Sequence, residues 1–287
     1  MLRYSPTPIP EIYDPILEKA GVRLLLKRED LNHPTVSGNK WWKLKYNLEE
    51  AVRLDHATLL TFGGAYSNHI YATAAAAHEL GLKSIGIIRG EETRPLNSTL
   101  SFAASRGMKL HYVSREKYRT KTEQPFIDGL HKLFGDFYTI PEGGTNELAV
   151  KGVTEFAQTL GNEFDYVCCA VGTGGTLAGL IQGVPRAKEV IGFSVLKGGE
   201  FLNGEVKRLI SDQSSNRWKI ITDFHFGGYA KNTPALISFM EAFSKSQQIP
   251  LDETYTGKVM FGLFDLVRKD FFRKGSIILF VHTGGVR

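Results

Sequence analysis

The amino-acid sequence predicts an α/β protein built on parallel sheets. Three observations carry that expectation. Strand-like and helix-like segments alternate from about residue 22 onward, the pattern of repeated βαβ units. Residues 166–171, Tyr-Val-Cys-Cys-Ala-Val, form a continuous apolar run of the kind buried on both faces of a parallel sheet. Helical segments are repeatedly followed by a glycine, at Gly81, Gly107 and Gly161.

Taken in order, residues 22–28 read as a strand and 41–51 as a helix. A strand at 57–62 runs into Gly63-Gly64, and an alanine-rich helix follows at 68–80. Strands at 84–88 and 109–113 flank a helix at 98–106. A helix at 147–160 precedes the apolar strand 166–171, which Gly172-Thr173-Gly174-Gly175 turns into a helix at 177–182. A strand at 191–196, helices at 234–245 and 258–272, and a last strand at 276–282 complete the series. No tandem repeat, low-complexity segment or Pro/Ser-rich linker divides the chain.

Bulk properties exclude several classes. The 287 residues suffice for one large or two modest domains, and 42% hydrophobic with 23% charged residues is ordinary for a globular protein. The net charge of +5 is mild. The densest basic stretch, 115–121, is interrupted by Glu116 and reads as a solvated face rather than a nucleic-acid footprint. Cys168 and Cys169 are the only cysteines, which excludes a disulfide framework and gives no structural metal site. Their place in the apolar run predicts strand packing. The N-terminal residues lack a signal-peptide apolar region, and no apolar stretch approaches the roughly 20 residues of a membrane span. A cytoplasmic protein without nucleic-acid or membrane partners is expected.

Four segments carry chemistry. In Ser37-Gly38-Asn39-Lys40 a lysine follows a small-residue turn and opens a helix. Glycine at 38 permits the close backbone approach that a Schiff-base lysine requires, although a surface lysine at a helix start fits the same residues. Gly172-Thr173-Gly174-Gly175-Thr176 joins a buried strand to a helix, where backbone N–H groups and threonine hydroxyls can cradle an anion. It is neither a P-loop nor a G-x-G-x-x-G fingerprint, because Leu177 occupies the last glycine position, so one phosphate suits it better than a dinucleotide. A plain tight turn would look alike. The loop 63–69 also joins strand to helix. Its amides and the Ser67 hydroxyl could take a substrate carboxylate, or Ser67 or Asn68 could simply cap the helix. Finally, Val281-His282-Thr283-Gly284-Gly285 ends the last strand, where open α/β sheets bind ligands.

Together and in this order, these segments resemble the fold-type II pyridoxal 5′-phosphate enzymes, and among them the family of 1-aminocyclopropane-1-carboxylate (ACC) deaminases and D-cysteine desulfhydrases. The resemblance runs over nearly the whole chain. It includes residues 6–9, 26–31, 38–44, 63–69, 141–146, 172–176, 255–258 and 282–285. It implies pyridoxal phosphate on Lys40, which also serves as base for the α-proton. It implies phosphate contacts from Lys43, Gly172, Thr173, Gly174, Gly175 and Thr176, and a cofactor 3′-oxygen contact from Asn68. Ser67, Asn68 and His69 would face the substrate, with Ser67 also implicated in catalysis. Tyr255 matches a catalytic, substrate-facing tyrosine, and Tyr229 a second tyrosine at the substrate. Thr256 and Thr283 would stand near the pyridine nitrogen.

The residue after Tyr255 separates the two activities. ACC deaminases carry a glutamate there, whereas this chain has Thr256. A carboxylate keeps the ring nitrogen protonated and the electron sink strong; a hydroxyl does not. The expectation is therefore β-elimination from D-cysteine or a similar small amino acid, with ACC deamination as the alternative and a non-catalytic cofactor or phosphate-ligand binder as a further one. An L-amino-acid enzyme of the threonine-deaminase or cysteine-synthase kind is disfavoured by Ser67-Asn68-His69 and Tyr255-Thr256. A nucleotide-dependent oxidoreductase is disfavoured by the incomplete glycine fingerprint. The implied architecture is two open, twisted parallel-sheet domains with helices on both faces. A small domain at 51–146 is inserted into a larger one at 1–50 and 147–287, and the family expectation is a homodimer. The stretch 198–226 matches no pattern.

Overall fold

The structure, a computed structural model, describes residues 2–211 and 216–286. Met1, Arg287 and the part of the 198–226 stretch at 212–215 lie outside the described residues. The strands in chain order are β1 (Glu11–Ile12), β2 (Arg23–Lys27), β3 (Thr58–Gly64), β4 (Lys83–Arg89), β5 (Met108–Val113), β6 (Tyr138–Ile140), β7 (Tyr166–Val171), β8 (Glu189–Ser194), β9 (Arg217–Ile221) and β10 (Ile277–Val281).

They form two open sheets. One has the order β1-β2-β10-β7-β8-β9 and the other β5-β4-β3-β6. Every pairing is parallel except that of β1 with β2. The two-residue β1 is the departure from an all-parallel arrangement, and it covers the edge of β2 that would otherwise expose unpaired backbone groups. The four strands of the second sheet come from one continuous stretch of chain, 58–140, while the first sheet draws strands from both sides of it.

Side-chain alternation explains why helices cover both faces of the larger sheet. On β7, Cys168 and Ala170 point into a core shared with the helices Pro234–Gln247 and Thr256–Arg268. Val167, Cys169 and Val171 point into the opposite core, against Glu147–Gln158 and Gly175–Gly183. Both cysteines are fully buried, and burial pushes the Cys169 thiol up to about 12. They are packing residues, not nucleophiles. On the smaller sheet, Leu60 and Phe62 pack against the helix Gln124–Phe134, and Leu59 against the face made by Asn39–Arg53 and Asn68–Glu79.

The start of the helix Asn39–Arg53 is the most tightly specified junction. Glu29 is completely buried, and each of its oxygens is occupied. One accepts from the Thr7 hydroxyl at 2.6 Å and from Tyr4; the other accepts from Trp42 Nε1 at 2.7 Å and Asn32 Nδ2 at 2.9 Å. The Glu29 carbonyl accepts the Gly38 amide at 2.9 Å. Gly38 itself has φ +72°, and a Cβ there would fall 1.9 Å from the carbonyl oxygen of Thr283. Only glycine lets the turn before the helix lie against the end of β10.

Gly38→Ala is therefore expected to destabilise the protein by about 3 kcal/mol or more, through backbone strain and steric overlap together. Gly204→Ala, in the helix Leu202–Leu209 with nothing within 4 Å of the added carbon, should stay within about 1 kcal/mol of the parent or gain stability. Urea unfolding of the two variants checks the contrast.

Candidate active site

The C-terminal ends of the strands from both sheets converge on one cavity of about 740 Å³. Gly64 and Arg89 reach it from β3 and β4, Gly172 follows β7, and Thr283 follows β10. Of the residues singled out from the sequence, Lys40, Lys43, Ser67, Asn68, His69, Gly172, Thr173, Gly174, Thr176, Tyr229, Tyr255 and Thr283 all line it. Gly175 sits in its wall: a Cβ there would lie 3.0 Å from Thr145 Oγ1 and 3.3 Å from Lys43 Cε.

Thr256 stands apart. It is completely buried and does not line the cavity. Its hydroxyl accepts the Asp252 amide at 2.8 Å and donates to the Asp252 carboxylate at 3.3 Å, within the cap of the helix Thr256–Arg268. That carboxylate also accepts the amides of Thr254 and Tyr255 at 2.8 and 2.7 Å. Of the two threonines, Thr283 lines the cavity, while the Thr256 hydroxyl is engaged by Asp252.

The glycine loop gathers hydroxyls, amides and a buried lysine. Lys43 Nζ, on a side chain 2% exposed, donates to Thr145 Oγ1 at 2.7 Å and lies 3.5 Å from Thr173 Oγ1, while the two hydroxyls bond one another. Thr176 Oγ1 accepts from Asn39 Nδ2 at 2.7 Å, and Asn39 Oδ1 accepts from Lys40 Nζ at 2.9 Å. Burial, and then the charge of Lys40, holds the Lys43 ammonium well below the usual lysine range. Among the described residues no carboxylate pairs with Lys43, so its charge calls for an anion from outside the chain. A buried lysine, three threonine hydroxyls and the amides opening the helix Gly175–Gly183 match a phosphate monoester. Thr145 and Asn39 were not singled out from the sequence. Thr145 lies in the 141–146 motif and Asn39 beside Lys40, but neither type announces a cavity role.

At the opposite wall, Ser67 caps the helix Asn68–Glu79. Its Oγ accepts the amides of His69 at 3.2 Å and Ile70 at 3.3 Å. The capping reading is thus realised, and the hydroxyl keeps its own proton to donate to a carboxylate. The loop's Ser67 amide is spent on Gly64 O at 3.0 Å. His69 is 1% exposed, with Nε2 2.7 Å from Thr61 Oγ1, whose proton goes to Ile140 O. Nε2 therefore carries the imidazole proton, and the buried Nδ1 is an acceptor without a protein partner. Burial first, then Lys40 and Lys43, lower its pKa far below 6.5, so the ring is neutral.

The tyrosines complete the cavity. Tyr255 and Tyr229 meet edge to face with ring centroids 6.1 Å apart, and burial raises both phenols. Tyr229 rides on a loop in which Phe226, Gly227, Gly228 and Ala230 all have positive φ. Lys258, 1% exposed, gathers that loop by donating to His225 O at 2.9 Å and Gly228 O at 2.7 Å. Its place two residues after Thr256 was part of the sequence motif, but the target carbonyls lie 30 and 33 positions away.

Fold and cavity together describe a pyridoxal-phosphate enzyme, and the relationships to known proteins agree. The family described as pyridoxal-phosphate dependent enzyme matches residues 1–284. An Arabidopsis thaliana protein named bifunctional D-cysteine desulfhydrase/1-aminocyclopropane-1-carboxylate deaminase, mitochondrial, is 33% identical, over 99% of this chain and 77% of its own. A Klebsiella pneumoniae D-cysteine desulfhydrase is 28% identical over 98% and 92%. A crystal structure of an ACC deaminase homologue superposes with a TM-score of 0.83 at 29% identity, covering 99% of this chain and 92% of its own. The chain belongs to the fold-type II pyridoxal-phosphate enzymes, in the family of ACC deaminases and D-cysteine desulfhydrases. Among the described residues no helix is long and apolar enough to cross a membrane.

Two outcomes are expected. A histidine whose folded pKa lies below 6.5 binds fewer protons folded than unfolded, so stability falls as pH drops below 6.5. Between pH 7.5 and 5.5 the urea midpoint should fall more in the parent than in His69→Gln, which keeps a donor for Thr61. Lys258→Met leaves two carbonyls unpaired, at about 1–3 kcal/mol, and should lower kcat/KM about tenfold by loosening Tyr229. In a Tyr229→Ala background the same change should cost little further activity.

Proposed function

We propose that the protein is a deaminating lyase that carries out β-elimination on D-cysteine or a similar small amino acid, giving pyruvate, ammonia and sulfide. The Lys40 amine is positioned to take the α-proton. Ser67 donates its hydroxyl proton to the substrate carboxylate beside Asn68, and neutral His69 presents Nδ1 as an acceptor. Tyr255, held neutral by burial, lies against the glycine loop near Gly172, 3.8 Å from its hydroxyl to a Cβ placed there. Lys43, Thr145, Thr173 and Thr176 would hold the cofactor phosphate. Bound there, pyridoxal phosphate supplies the sink for the electrons released with the α-proton.

One observation favours elimination over cyclopropane opening. The carboxylates lining the cavity, Glu142 and Glu205, already pair with Lys121 and Arg208, and the wall at the end of β10 offers the Thr283 hydroxyl. A hydroxyl gives the pyridine nitrogen a neutral hydrogen bond and a weaker sink. A thiolate that departs with its electron pair needs less from the sink than a strained carbon ring does. A homodimer belongs to the same proposal, and sedimentation of the purified protein tests it.

The decisive assay measures sulfide and pyruvate from D-cysteine, L-cysteine and D-serine, and ammonia from ACC. Sulfide with pyruvate from D-cysteine is expected, falling by about 10³-fold or more in Lys40→Ala. Robust ACC turnover without sulfide from D-cysteine would overturn the proposal.

A further inference from the structure

Among the described residues, one basic side chain of the cavity, Arg89, pairs with no carboxylate and has no part in the phosphate or proton-transfer roles proposed above. Five basic side chains line the cavity: Lys40, Lys43, Arg89, Lys121 and Arg208. Lys121 pairs with Glu142 at 3.2 Å, and Arg208 with Glu205. Lys43 faces the threonine hydroxyls, and Lys40 bonds Asn39. Arg89 is left with no carboxylate and no hydrogen-bond acceptor among the described residues.

Its placement is nonetheless built. Arg89 ends β4 in register with Gly64 of β3, and its Nη2 lies 3.5 Å from where a Gly64 Cβ would be. The guanidinium stands over the Tyr118 ring, Cζ 5.6 Å from the centroid, and Tyr118 is 2% exposed. Lys121 Nζ sits 4.9 Å from the same ring, so Tyr118 fixes both cations while Glu142 neutralises only one. A planar guanidinium with free donors beside an aromatic face suits bidentate binding of an oxyanion.

The other oxyanion to be placed, the substrate α-carboxylate, must sit beside Lys40 because it is attached to the carbon that loses the proton. The charge of Lys40 is felt at Lys43 and His69, whereas that of Arg89 is felt at Tyr118 and Tyr229. Arg89 is also exposed, whereas Ser67 is buried.

We propose that Arg89 forms a distal anion subsite, so that the enzyme accepts β-substituted alanines whose substituent is itself an oxyanion, such as a phosphate ester or an S-sulfonate. This rests on the elimination reading above. In the reaction the Cα–H proton passes to the Lys40 amine, and the Cβ–X bond breaks with its electron pair on X. A Cα–Cβ double bond forms, and water converts the released 2-aminoacrylate to pyruvate and ammonia. X departs as phosphate or thiosulfate, and no oxidant or reductant is needed.

The holoenzyme and its Arg89→Gln and Arg89→Lys variants are to be assayed with both enantiomers of cysteine, O-phosphoserine and S-sulfocysteine, reading pyruvate. Binding of the non-eliminating 2-amino-3-phosphonopropionate is compared with that of alanine by the cofactor absorption band. Expected for Arg89→Gln is at least about a tenfold rise in KM for the anionic substrates, partly restored in Arg89→Lys, with cysteine changed less than about twofold. The phosphono compound should bind the parent more tightly than alanine and lose that advantage in Arg89→Gln. Equal losses for cysteine and the anionic substrates would assign Arg89 to the α-carboxylate and overturn the proposal. So would equal binding of the phosphono compound and alanine. Pyruvate from none of the substrates would refute the elimination reading, while the binding comparison still decides the subsite.

Discussion

The site depends on the contact between Gly38 and the end of β10. The turn before Lys40 lies so close to Thr283 that no side chain fits between them. The Asn39 amide donates to the Thr283 carbonyl at 3.3 Å, so the same backbone that closes the last strand also starts the helix carrying Lys40 and Lys43. Glu29 secures the arrangement from behind through Thr7, Asn32 and Trp42. A buried carboxylate with each oxygen satisfied is costly to disturb, because removing any donor leaves charge without compensation. The amine, the phosphate cradle and the Thr283 wall are thereby held in one frame, although they come from opposite ends of the chain.

Around that frame the charge balance is unusual. The cavity floor has the buried Lys43 and the half-buried Lys40 among neutral groups: hydroxyls at Thr145, Thr173 and Thr176, an amide at Asn39 and a neutral imidazole at His69. Each cation lowers the proton affinity of the next, as Lys40 does for Lys43 and His69. Such a pocket pulls an anion in, and it keeps nearby bases unprotonated.

Much of this was legible in the sequence, for identifiable reasons. Glycine-rich turns between an apolar strand and a helix signal themselves, which is why 63–69 and 172–176 stood out. The strands of both sheets inside the expected alternation lie within a few residues of where periodicity put them. Segments without that signal were not placed: β1 and the helix Pro15–Ala20, the helices Arg115–Arg119 and Gln124–Phe134 with β6 after them, and Leu202–Leu209 with β9 beyond it. Arg115–Arg119 reads as a charged face because four of its five residues are charged or polar, yet Tyr118 is buried beneath Arg89 and Lys121. One inward aromatic cannot be recognised in so short a helix.

Thr256 shows the limit of reading a role from a motif position. Sequence fixes which residue follows Tyr255, but the rotamer is chosen by competition among hydrogen-bond partners. At a helix start the local choice is strong: Asp252 offers both an amide and a carboxylate to the threonine hydroxyl. A glutamate at 256 could not close that cap in the same way, since it has no hydroxyl to accept the Asp252 amide, and its carboxylate would meet that of Asp252. In this chain the side chain at 256 is spent on capping. Thr283, on the strand end that Gly38 already touches, is the threonine of the pair that lines the cavity.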